Sequence, residues 1–339
     1  MRPVHTALAV LVAAVWGFNF VVIEIGLDHF PPLLLSALRF LVAALPAVFF
    51  VGRPKVAWKW ILGVGAALGI AKFGLLFTGM AAGMPAGLSS LVLQVQAVFT
   101  AVLAALLLRE RPGRVRLLGM AVALAGIAVA AVDRGLSGPV TGFVLVVAAA
   151  ACWGVSNVLT RKAAPPDALN FMVWVCTVPV LPLFGLSLLL EGPERDLAAL
   201  RALDWSGVAV IAYVAWVSTV FGFGAWGYLL RRYPASAVAP FSLLVPVFGM
   251  SSAALVLGEG VSGARWVAAV LLVGGVALTS WAPARTAAAG APAGSGASDV
   301  SGAPVAPGVR PGSPAGAGAA SPGPSGSPRT SGAGAARSA

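Results

Sequence analysis

Charge is scarce in this chain. Only 10% of its 339 residues are Asp, Glu, Lys or Arg, against about 25% in an ordinary soluble domain. A water-soluble fold of this length has too little polar surface to cover the 59% that is hydrophobic. Cysteine is nearly missing as well. Cys152 and Cys176 both lie in apolar runs, with no CxxC or metal spacing, which argues against a disulfide framework or a zinc site. Histidine is limited to His5 and His29, and neither has a neighbour that suggests metal binding or catalysis. No GxxxxGK[ST] loop is present, so nothing here points to ATP hydrolysis. No Ser/His pair, paired Asp or HExxH stands inside the apolar runs, and this speaks against an enzyme. No cofactor is expected.

What the chain does have is long apolar stretches. Ten of them, of about membrane-crossing length, fall at 6–25, 33–51, 60–81, 86–108, 115–132, 141–160, 169–190, 206–230, 236–257 and 264–281. The runs are solid rather than alternating, which excludes the short two-faced strands of an outer-membrane barrel and leaves helices as the spanning element. The first run is longer than a signal-peptide core and has no small-x-small site after it.

The connectors alternate in charge. One set holds twelve Lys and Arg, among them Arg53, Lys55 and Lys59, then Arg109, Arg111, Arg114 and Arg116; the other holds four: Arg134, Arg195, Arg201 and Arg265. A basic excess marks the cytoplasmic side. Both ends of the ten-span array are then cytoplasmic, and this orientation accounts for the net charge of +11 without nucleic acid. The partners expected are a lipid bilayer and a small polar metabolite; pairing into a homodimer stays open. Residues 282–339 are nearly all Gly, Ala, Pro and Ser from Gly290 onward, a composition that cannot bury a core and reads as a disordered cytoplasmic tail.

Two stretches repeat. At an offset of 149, Pro85 matches Pro234, Phe99 matches Phe248, Glu110 matches Glu259 and Gly126 matches Gly275. Trp16-Gly17 and Trp153-Gly154 open the first and sixth spans. The fold class is therefore an all-α polytopic membrane protein of two five-helix halves, 6–132 and 141–281. An odd number of spans per half inverts the second relative to the first. Inverted repeats are an architecture of secondary carriers, with the site near the midplane between halves. Pro240 and Pro246 lie in the ninth span, the partner of the Gln-bearing fourth; either a cavity-lining break or a plain kink follows.

The run Trp16-Gly17-Phe18-Asn19-Phe20, then Pro31-Pro32 and Leu38-Arg39-Phe40, resembles the EamA branch of the drug/metabolite transporter superfamily. So do Met84-Pro85-Ala86-Gly87-Leu88 through Gln94 and Arg109-Glu110-Arg111, and Val238-Ala239-Pro240-Phe241-Ser242. The likeness is close to the members that export O-acetylserine and cysteine. It implies a ten-helix inner-membrane (cell-membrane) carrier that exports small polar metabolites, with proton coupling as the usual expectation. Glu24 stands where that family commonly has Lys, and Lys72 where a neutral polar residue is more usual. The two changes read together as a relocated charge pair.

Polar groups within spans are costly and are functional candidates by default. The substrate-binding candidates are Asn19, Arg39, Lys72, Gln94, Gln96, Trp153 and Asn157, with Thr78 beside them. Glu24 is the sole acid within a span and the candidate for proton coupling, unless it reaches water at the span end. Arg39 keeps its charge. It either snorkels to the interface or binds a carboxylate in two-point fashion. Lys72 is nearer mid-span; it either meets substrate or pairs with Glu24. Gln94 and Gln96 point about 200° apart on a regular helix, so one contacts substrate and the other joins helices. Trp16 and Trp153 either wall the cavity or pack. Glu110 and Glu259 flank spans at water, where capping or pairing with Arg is expected. A secondary carrier for amino-acid-type metabolites leads these readings. Behind it stand a carrier of another small solute, an intramembrane lipid-handling protein and a passive channel.

Overall fold

In the computed structural model, residues 1–107, 113–137, 140–233 and 235–281 are described, and all regular structure among them is helical. The helices are α1 (Pro3–Leu27), α2 (Pro32–Val48), α3 (Trp58–Ala81), α4 (Ala86–Leu107), α5 (Arg114–Ser137), α6 (Val140–Ala163) and α7 (Ala168–Leu190). There follow α8 (Pro193–Arg201), α9 (Trp205–Arg232), α10 (Pro240–Val256) and α11 (Gly263–Trp281). Seven are long and apolar enough to cross a membrane. The other three expected spans, α2, α10 and α11, are shorter apolar helices. The chain is an all-α, multi-pass membrane protein. Glu110, its Arg neighbours in the fourth connector and the 282–339 tail lie outside the described residues.

Local chemistry sets several helix starts. Pro at the first turn, whose missing N–H would be unpaired anyway, opens α1 and α2. Asp167 caps α7 by accepting from the N–H groups of Leu169 and Asn170, and Asp204 caps α9 through Gly207. The connector at 191–204 holds a helix the hydropathy reading did not foresee. Gly192, at φ 94°, turns the chain into Pro193, and Asp196 docks this α8 by accepting from the buried Ser187 hydroxyl.

The two halves match in their irregularities. The third span of each half contains a nine-residue π-helical segment: Gly65–Phe73 in α3 and Tyr213–Phe221 in α9. Both end on Phe-Gly, at Phe73-Gly74 and Phe221-Gly222. The fourth span of each half tightens to a 3₁₀ turn, at Leu93–Val95 and at Ala239–Leu244. Pro240 thus sits in a broken stretch, not a plain kink. π segments inside α-helices are frequent at functional sites because they free and re-aim backbone groups.

Close helix crossings are matched too. A Cβ on Gly17 of α1 would lie 2.6 Å from Phe248 Cβ of α10, and one on Gly154 of α6 would lie 2.8 Å from Phe99 Cβ of α4. Phe99 and Phe248 are the sequence-repeat mates. Between α5 and α11, Gly126 abuts Leu272 and Gly275 abuts Ala123. Small residues let backbones approach where lipid supplies no hydrophobic drive between helices.

Candidate functional site

The centre of the molecule holds a chain of aromatic and cationic contacts. Trp16 of α1 donates its indole N–H to the Ser218 carbonyl at 3.0 Å. That carbonyl lies in the π segment of α9. The next hydroxyls serve Arg39 of α2: Nε donates to Thr219 Oγ1 at 3.0 Å and Nη2 to Ser218 Oγ at 3.5 Å. Thr219 in turn donates to the Val214 carbonyl five residues back, a π-helical spacing. The Arg39 guanidinium stands 4.2 Å from the Phe73 ring centroid. Lys72 Nζ stands over the same ring at 3.3 Å, and 4.8 Å from the Trp153 ring of α6. The repeat-related Trp16 and Trp153 therefore stand at the two ends of a line that runs through both cations.

Arg39 and Lys72 are only 2% and 5% exposed, so Arg39 does not snorkel to an interface. Its helix packs its guanidinium inward against α9, where two hydroxyls receive it. Cations over aromatic faces gain about 2 kcal/mol when desolvated, far less than burying a charge costs. Arg39 Nη1 is buried with no hydrogen-bond partner.

The expected Lys72–Glu24 pair does not form; among the described residues no ion pair joins them. Lys72 sits in the middle of α3, whereas Glu24 sits one turn from the end of α1, where the charges of Glu259 and Asp28 act on it. One Glu24 oxygen is buried without a partner. Glu259 does what its position at a span end suggested. Its carboxylate accepts from the N–H groups of Ala86 and Gly87 at 2.7 and 3.2 Å, capping α4 from the other half of the chain.

The two glutamines go different ways, as the tightened turn between them allows. Gln94 Nε2 donates to the Ser242 carbonyl in the broken part of α10 at 3.0 Å. Gln96 Oε1 accepts from Asn157 Nδ2 at 2.7 Å, and Asn157 also reaches Thr100 at 3.1 Å. Asn157 is four residues after Trp153, so this polar group continues from the cation line along α6. Asn19 is buried with its Oδ1 unpartnered. Thr78 is separate from these. It helps line a 730 Å³ cavity at the Arg/Lys-poor end, with Asp28, His29, Glu191 and Arg195.

The structure thus brings together Arg39, Lys72 and Trp153, and next to them Gln96 and Asn157. It sets Glu24 apart at the helix end. Sequence reasoning missed Phe73, Ser218 and Thr219. The mid-span Ser-Thr pair was the available clue to the last two. At the Arg/Lys-rich end, His5 Nδ1 lies 2.7 Å from the Tyr233 hydroxyl, joining α1 to the end of α9. Among the described residues no group of His, Cys, Asp and Glu could hold a metal ion.

Comparison with known proteins bears on family and fold. The profile of the EamA-like transporter family matches residues 6–132 and 140–281. A Salmonella typhimurium protein named "Probable amino-acid metabolite efflux pump" is 45% identical over 276 residues, 79% of this chain and 92% of that one. Its Escherichia coli namesake is 43% identical over 275 residues, with the same coverage. A "Probable terminal-alkyne amino-acid exporter" of Streptantibioticus cattleyicolor is 28% identical over 279 residues, 78% of this chain and 91% of its own. A solved crystal structure superposes with a TM-score of 0.57 at 20% identity, over 82% of this chain and 96% of that one, a likeness of fold.

Proposed function

The chain belongs to the EamA-like transporter family and is a multi-pass inner-membrane transporter, and we propose that it exports small amino-acid-type metabolites of the cysteine and O-acetylserine kind. The observation that carries this reading is the pair of buried cations, Arg39 and Lys72, over the single ring of Phe73. Two membrane-buried cations with no carboxylate between them among the described residues call for an anionic group from the substrate. An α-carboxylate supplies it, since a guanidinium fork and an ammonium match two carboxylate oxygens. Asn19 Oδ1, an unpartnered acceptor, would take the substrate ammonium, and Gln96 and Asn157 its polar side chain. Trp153 walls the site.

The halves 6–132 and 141–281 would move against each other about this site, with the basic connectors and both ends of the helical array in the cytoplasm. Glu24, with an unpartnered oxygen among the charges of the far end, would carry the coupling proton. The relatives' names support the cargo class.

The test is accumulation of radiolabelled cysteine, O-acetylserine and a panel of amino acids in proteoliposomes under an imposed pH gradient, with Lys72→Ala and Glu24→Gln alongside. Gradient-driven accumulation lost in Lys72→Ala, with driving force uncoupled in Glu24→Gln, is expected. No flux of any amino acid through folded protein overturns the cargo assignment.

A further inference from the structure

We propose that Arg39 and Lys72 hold a small inorganic monoanion, a halide such as chloride, when the carrier has no substrate, and that the substrate carboxylate displaces it. The inference rests on the assignment of these residues to the substrate site. It begins from the distribution of charge. Every described Asp and Glu stands at a helix end or in a connector, while Arg39 and Lys72 stand in the apolar middle at 2% and 5% exposure. Besides Lys72, the titratable group near Arg39 is the Cys176 thiol, a weak acceptor and no counter-charge. Arg39 keeps its proton in proteins. Two like charges close to one ring repel each other strongly where water does not screen them. A resident anion removes that repulsion.

Two buried donors on α2 are free for one. Arg39 uses Nε and Nη2 on Thr219 and Ser218, which leaves Nη1 buried and unpartnered. Three residues earlier on α2, and so on the same side of the helix, the fully buried Ser36 hydroxyl is also unpartnered. A guanidinium N–H, a hydroxyl and an ammonium can each donate to one guest. Their two positive charges repel cations, and the set suits a spherical anion. At this exposure the conformation leaves no opening for a metabolite, which would enter when the halves part.

The experiment is thermal unfolding of the full chain in nanodiscs, in a methanesulfonate buffer free of carboxylates, with chloride titrated at constant ionic strength. Ligand that binds only the folded state raises the midpoint in a saturable way. We expect a rise of about 3–6 °C at a hundredfold excess over half-saturation. It should vanish in Lys72→Met and need about tenfold to a hundredfold more chloride in Ser36→Ala, the cost of one hydrogen bond to an ion. Chloride should also raise the apparent Kd of cysteine competitively. A flat titration, or an equal rise in wild type and Lys72→Met, overturns the proposal. If chloride is inert while cysteine stabilises wild type but not Lys72→Met, the anion proposal falls and the substrate site stands. If chloride binds as described and no amino acid does, the anion site stands and the cargo assignment falls.

Discussion

The two halves of this transporter are alike in backbone and unlike in chemistry. Each has a π segment in its third span, a 3₁₀ turn in its fourth and a glycine contact from its first span to the other half's fourth. Yet at an offset of 148 the Lys72 position in the first half is Val220 in the second, and Ile70-Ala71 answer to Ser218-Thr219. Both buried cations belong to the first half. The second half contributes the hydroxyls that receive Arg39 and the carboxylates, Glu191 and Glu259, that cap α2 and α4. Duplication has kept what shapes the cavity, because helix crossings and broken turns are set by backbone. On the proposed function, the positions that have diverged are those that meet the solute, because one bound carboxylate needs one cation pair, not two.

The sharpest way to break the comparison is to remove the asymmetric charge. Lys72→Met should lower transport efficiency by about 10–100-fold, the loss of a charged hydrogen bond to substrate. The thermal midpoint in substrate-free, low-halide buffer should rise, because an apolar chain of similar length replaces a buried charge. Unfolding midpoints and initial rates on the same preparation check both. Moving the charge is the complementary test. Lys72→Val with Val220→Lys places a cation at the matched point of the other half. If chemistry and scaffold are independent, transport stays at least about tenfold below wild type, since Arg39 and its hydroxyls no longer share a ring with the ammonium. Recovery of transport would mean that the halves are interchangeable.

The scaffold symmetry has its own test. Gly17→Ala would set a methyl 2.6 Å from Phe248 Cβ and 2.7 Å from the Val245 carbonyl; Gly154→Ala would set one 2.8 Å from Phe99 Cβ and 3.0 Å from the Thr100 N. Both should destabilise, within the range of about 1–3 kcal/mol seen for overpacking, with Gly17→Ala the worse. Denaturation in mild detergent measures the order.

Much of this was legible in the sequence, and the reason is physical. The bilayer demands long apolar runs, so α1, α3 and α6 could be bounded from hydropathy alone. The 149-residue offset exposed the repeat, because Phe99, Phe248, Gly126 and Gly275 sit where helices touch. The need to justify a buried charge picked out Arg39 and Lys72. What sequence could not give was partnership. Lys72 and Glu24 are a plausible pair by charge, but helix rotation and a π segment decide where a side chain points, and these place Lys72 on Phe73 and Trp153 instead. The Arg39 hydroxyls lie 179 and 180 residues away, a distance no local pattern spans. Helix α8 was hidden because a short amphipathic segment outside the membrane carries no hydropathy signal.

The smallest expected effect concerns how α2 and α7, the second spans of the two halves, begin. Helix α7 caps itself: Asp167 accepts from Leu169 and Asn170 at 3.1 Å each. Helix α2 has no side-chain cap of its own and borrows Glu191, which accepts from Leu33 and Leu34 at 2.8 and 3.2 Å. A carboxylate at a helix start is worth about 0.5–2 kcal/mol through its hydrogen bonds and the helix dipole. Asp167→Ala should therefore loosen one helix end locally. Glu191→Ala should loosen a contact between halves, at the Arg/Lys-poor end. Hydrogen exchange separates them: amides at Leu169 and Asn170 gain exchange in the first variant, those at Leu33 and Leu34 in the second, and transport rates change only in the second. The Asn170 N–H, with Lys55 adding a smaller pull, holds the Asp167 carboxyl below its ordinary value. Its contribution is thus complete above the unfolded carboxylate range and fades as pH falls through the lowered value, so the first effect shrinks in acid. Equal transport in both variants would show that the borrowed cap is as passive as the native one.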